Sequence, residues 1–176
     1  MTTLLIALAA LAQTPSPTAP RIDYYLSEVR IQSADGKPLG AMVGLGKRVY
    51  KPDERAIEQT DIALDPAPGA LPTVVTVEWT VDDAGATAEL RSRDGRLSGR
   101  AKLSGPPWAW AEWNWSGTMK DVPGTFRNVT KVTRRGLLTR SERVDASGKR
   151  LEVYDQVDTK ITRETYDVLR SRLLPQ

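Results

Sequence analysis

Between Ile22 and Asp158 the chain is a succession of short β-rich runs cut by Gly, Pro and Asp, and this punctuation confines it to consecutive hairpins. Thr73–Val81 shows the pattern most clearly. Val75, Val77, Trp79 and Val81 fall on one face, and Val74, Thr76, Glu78 and Thr80 on the other. Side chains of a strand alternate sides, so such a run is predicted to bury one of its faces. Residues 96–103 repeat it, with Leu97, Gly99, Ala101 and Leu103 inward and Arg96, Ser98, Arg100 and Lys102 outward. Asp94-Gly95 joins that run to residues 86–92 and is expected to form a type I′ turn, with both residues at positive φ.

The remaining runs cover residues 22–32, 39–50, 56–64, 108–116, 125–133, 137–144 and 151–158, which makes about ten strands in all. An open twisted sheet rarely holds so many, so the predicted fold is all-β: an antiparallel meander closed into a barrel or a strongly curved sheet. The glycines of Gly44-Leu45-Gly46 do not have phosphate-loop spacing and are read as a bend in the second strand. Residues 162–174 change period, with Tyr166, Leu169 and Leu173 at i, i+3 and i+7. A short helix is expected there, covering a sheet edge or plugging one barrel end.

Residues 1–12 read as a signal peptide, with an apolar run from Leu4 to Ala12 and a small-x-small pattern at Ala10-Leu11-Ala12, although the leading Met1-Thr2-Thr3 carries no basic side chain. Residues 13–21 are Pro-rich and expected to be a flexible spacer, which leaves 22–176 as one domain of a periplasmic or secreted protein. No apolar stretch is long enough to span a bilayer as a helix, so an integral membrane protein is not expected.

The chain has no cysteine and no histidine, which excludes thiol nucleophiles, disulfides, Ser-His-Asp triads and thiolate or imidazole metal sites. No catalytic residue, metal or cofactor is predicted. Glu78 and Glu112 lie close to tryptophans and supply an enzymatic alternative, a carboxylate pair for glycoside hydrolysis.

Four of the five tryptophans fall in Pro106-Pro107-Trp108-Ala109-Trp110-Ala111-Glu112-Trp113-Asn114-Trp115. Strict alternation puts Trp108 and Trp110 on one face and Trp113 and Trp115 on the other, unless a bulge near Ala111 brings them together. Basic residues gather at two hairpins, Arg91, Arg93, Arg96, Arg100 and Lys102 at one and Arg134, Arg135, Arg140 and Arg143 at the other. With a net charge of only +3 and both signs interspersed, these read as solvated strand faces, and no nucleic-acid partner is expected.

The run of hairpins, the late tryptophan strand, the Asp145-Ala146-Ser147-Gly148-Lys149 turn and the C-terminal helix together resemble the small lipocalin-like (calycin-type) secreted domains of bacteria. The Gly-x-Trp of true lipocalins near the first strand is missing, so no family binding residue is carried over. The resemblance implies a cup-shaped barrel that holds an apolar small molecule or lipid. On that expectation Val75, Val77, Trp79, Leu97, Leu103, Trp108 and Trp110 line the cavity of a non-enzymatic binding protein. The alternative is an envelope accessory protein with a filled barrel, touching membrane, polysaccharide or a protein partner through Trp113, Trp115, Arg96 and Arg100.

Overall fold

The computed structural model describes residues 19–64 and 71–174. The expected signal peptide, most of the Pro-rich spacer and most of the loop before the fourth strand lie outside the described residues. Ten strands run β1 (Arg21–Ser33), β2 (Pro38–Lys51), β3 (Ala56–Leu64), β4 (Thr73–Val81), β5 (Thr87–Ser92), β6 (Leu97–Ser104), β7 (Glu112–Met119), β8 (Val122–Thr133), β9 (Gly136–Val144) and β10 (Arg150–Ile161). Each pairs antiparallel with its neighbours in sequence, and β1 pairs with β10, closing the barrel. One helix follows, α1 (Arg163–Leu173).

The hairpin turns share a local chemistry. In the β1–β2, β4–β5, β5–β6 and β9–β10 turns the N–H of Gly36, Gly85, Gly95 or Gly148 donates to the carbonyl three residues earlier, on Ser33, Asp82, Ser92 and Asp145 respectively. All four glycines sit at positive φ, where any other L-residue is strained. At Asp94-Gly95 this corrects the expected type I′ turn, because only Gly95 has positive φ. Asp94 instead accepts from the Arg96 N–H and the Ser92 hydroxyl, an arrangement that suits a right-handed residue followed by a left-handed glycine.

The inward set is the one anticipated for β4 and β6: Val77, Trp79 and Val81 pack with Ala88, Leu90, Ala101 and Leu103, and Val75 and Leu97 lie partly buried against them. Around the barrel the same parity turns Tyr25, Arg48, Tyr50, Ile57, Trp113 and Leu137 inward. Gly46 in β2 makes room for this packing, since a Cβ there would meet Asp61 Oδ1 at 3.3 Å and Tyr25 Cβ at 3.6 Å.

The helix neither plugs an end nor covers an edge, because the closed barrel has no edge. It lies outside the wall, where Tyr166, Leu169 and Leu173 pack on Tyr24, Leu26, Leu45, Ile62 and Ile161. Those strand residues have outward parity yet are apolar, and Leu45 and Ile62 are each only 1% exposed. Burying each of these two stabilises the seat by roughly 1.5–3 kcal/mol. Thr162 begins the helix by accepting from the Thr165 N–H.

Candidate functional site

The tryptophans are arranged differently from the alternating strand expected. Strand β7 starts at Glu112, and residues 105–111 form a loop held by Ala109 N–H to Pro106 O at 3.0 Å and Ala111 N–H to Ser104 O at 2.9 Å. Trp108 takes a left-handed φ of 63° there. Its indole and that of Trp110 pack at a tilt of 51° with centroids 5.2 Å apart over one end of the barrel. Trp110 Nε1 donates to Gly85 O at 2.7 Å, and Arg21 donates to Trp108 O at 3.2 Å, so the loop is tied to both sides of that end.

Trp113 and Trp115, expected on an outward contact face, point inward. Trp113 is buried edge-on to Trp79 with centroids 6.1 Å apart. Trp115 is half-buried and lies over Gly99 and Gly117, where any side chain would collide with its ring. The loop at 105–111 resets the alternation, which is why both pairs of indoles reach the core. Of the expected surface set only the arginines stay outside: Arg96 in the β5–β6 turn and Arg100 on β6, where it pairs with Glu89 at 3.4 Å.

With five indoles and the aliphatic residues inside, the barrel is filled. Among the described residues, two voids inside the wall are about 10 Å³ each, against the several hundred needed for a small-molecule cavity. Val75, Val77, Trp79, Leu97, Leu103, Trp108 and Trp110 thus pack against one another and the rest of the core, and the described residues leave no ligand-sized interior space between them.

One side of the interior is polar. Arg48 is 7% exposed and donates to Gln59 Oε1 at 2.8 Å, while Gln59 Nε2 donates to Asp61 Oδ2 at 2.5 Å. Asp158 accepts from Ser27 at 2.5 Å and Gln156 at 2.8 Å. Asp23, across from Arg48 in the β1–β2 register, is held by Lys160 at 2.5 Å and Arg21 at 3.3 Å. Burial pushes the Asp61 carboxyl up to about 6, against the hydrogen bond from Gln59 and the pull of Arg48. Sequence reading missed this set, although Arg48 shares the parity of Gly46 and Tyr50, and a charge on the inner parity was the available signal.

A broad concavity lies outside. Across β5–β10 the outer face forms a trough of about 1220 Å³. Its floor carries Val129, Leu138 and Val157, which are 41%, 49% and 47% exposed. Leu138 faces Val157 directly across β9–β10, and Val129 is one diagonal step away on β8. Arg100, Lys102, Arg127, Lys131 and Arg140 surround them, with Glu89, Glu142 and Asp155. Arg140 pairs with Asp155 at 3.4 Å and Glu142 with Arg150 at 2.8 Å. Among the described residues Lys102 and Arg127 have no carboxylate within 4 Å, so the trough presents two free cations beside an apolar floor.

Glu78 and Glu112 do not share a cleft. Glu78 lies outside β4 and accepts from Arg93 at 2.8 Å, and Glu112 lies at the start of β7 beside Asn114 and Lys131. Among the described residues no group of three or more acidic side chains could hold a metal, and no helix is long and apolar enough to cross a membrane. Compared with protein-family models, curated proteins and solved structures, the chain matches none.

Proposed function

We propose that this chain is an exported, non-enzymatic binding protein whose ligand is a lipid-like amphiphile with an anionic head, held in the outer trough of β5–β10 rather than inside the barrel. The observation that carries this reading is the contrast between a packed interior, with voids of about 10 Å³, and an apolar-floored trough of about 1220 Å³. An exposed Val129, Leu138 and Val157 on three adjacent strands is costly to leave wet, and an acyl chain laid across them removes that surface from water. Lys102 and Arg127 supply charge complementary to the head group. The proposal of export is supported by the apolar run at residues 4–12.

Calorimetric titration with dodecanoate below its micellar concentration tests the reading. Saturable binding by the wild type, lost in Leu138→Glu and weakened in Arg127→Ala, is the expected result. Absence of binding, or binding that Leu138→Glu leaves unchanged, overturns it. Loss of binding in the interior variant Leu90→Ala with Leu138→Glu still competent would return the ligand to the barrel core.

A further inference from the structure

The inner wall holds a second arrangement that the trough does not use. Arg48 Nε and Trp79 Nε1 are both buried N–H donors without a hydrogen-bond partner. The two side chains line the same void, together with Tyr50, Trp110 and Trp113. The guanidinium lies 4.8 Å from the Trp113 ring centre and 5.7 Å from that of Trp79, so indoles enclose it. A buried donor that gives up water without gaining an acceptor is destabilising, and two side chains that carry such donors on one void point to something that accepts from them.

The charge of Arg48 is also uncompensated at close range. Among the described residues no carboxylate lies within ion-pair distance of it; its close polar neighbours are the neutral amide of Gln59 and the hydroxyl of Tyr50, and the Asp61 carboxyl acts on it only from farther off. Asp23 is its cross-strand neighbour but is engaged by Arg21 and Lys160, and Asp61 is turned to Gln59. A guanidinium removed from water this completely calls for an anion nearby. The void of about 10 Å³ has room for one small particle, a water or a halide ion, and favours neither sulfate, phosphate nor a carboxylate ligand.

We propose that the void between Arg48 and Trp79 is a binding site for a single halide anion, chloride under ordinary conditions. The ion accepts from Arg48 Nε–H and Trp79 Nε1–H, and the surrounding indoles keep water from competing. It completes the core, so its binding is linked to folding and raises stability as its concentration rises.

Diffraction from crystals grown in sodium bromide decides the occupant, with an anomalous difference peak expected inside this void. A light-atom peak without anomalous signal means water alone and overturns the proposal. Melting temperature measured against sodium chloride at constant ionic strength gives a second reading. A saturable rise is expected for the wild type, and Trp79→Phe, which keeps an aromatic ring but loses the donor, is expected to need about tenfold more chloride for the same rise. An identical chloride response in the two proteins overturns the assignment. If Trp79→Phe does not fold, the bromide crystals of the wild type carry the test alone.

Discussion

Replacing Asp61 by Asn should stabilise the protein near neutral pH and leave it almost unchanged in acid. Asp61 lines the polar void among Tyr25, Ser27, Arg48, Gln59 and Asp158; it keeps a little accessible surface there, but protein surrounds it. Its carboxyl titrates at about 6 in the fold against 3.8 as a free side chain, chiefly because burial penalises the charge. The native state therefore holds this proton more tightly than the unfolded chain. The stabilising effect of the bound proton is complete below pH ~4, declines as pH rises through the folded value, and is gone above it. A shift of about 2 units at about 1.4 kcal/mol each makes the ionised residue costly by about 3 kcal/mol at pH 7.5, less whatever water screens through the residual exposure. Asn is isosteric, uncharged, and still offers an oxygen to Gln59 Nε2. Urea denaturation at pH 7.5 and pH 4 is the assay, with a gain of about 2–3 kcal/mol expected at the higher pH and nearly none at the lower. The same difference at both values, or a loss at pH 7.5, would refute the reasoning.

Two predictions concern packing. Ile62→Ala removes a side chain wedged under α1 and should cost about 2–4 kcal/mol in urea denaturation, with protease cleavage appearing first within residues 163–173 while the barrel stays intact. Gly117→Ala drives a methyl group toward the Ser98 carbonyl and the Trp115 ring and should cost about 1–3 kcal/mol, with a changed tryptophan emission; an unchanged spectrum would show that Trp115 does not lie over that glycine.

The strand count and the antiparallel meander were legible from residue parity and turn chemistry, because a period of two and Gly-closed turns are local properties; closure was only one of two options, a barrel or a strongly curved sheet, because it rests on the long-range pairing of β1 with β10. The helix was legible too, but not its seat: Leu45 and Ile62 are apolar residues of outward parity, and only the fold lays α1 over them. The tryptophan loop failed for a different reason. Pro106-Pro107 and Gly105 announce a break, but nothing local tells how far the chain travels before alternation resumes at Glu112. The trough was the least legible part. Leu138 and Val157 lie 19 positions apart in the chain, and only the β9–β10 register makes them neighbours. A single sequence read strand by strand does not carry that register.

Nine of the ten strand pairings join neighbours in the chain, and only β1 with β10 connects the two ends. Bringing distant segments together is the entropically slow step in making a β protein, so in this molecule that cost is concentrated in one seam. The helix follows β10 directly and packs on β1, β2 and β3, so it reaches across the seam and acts as a latch. A ribbon of hairpins can therefore assemble one turn at a time, with its exposed edges persisting only until β10 and α1 are in place and the ring snaps shut.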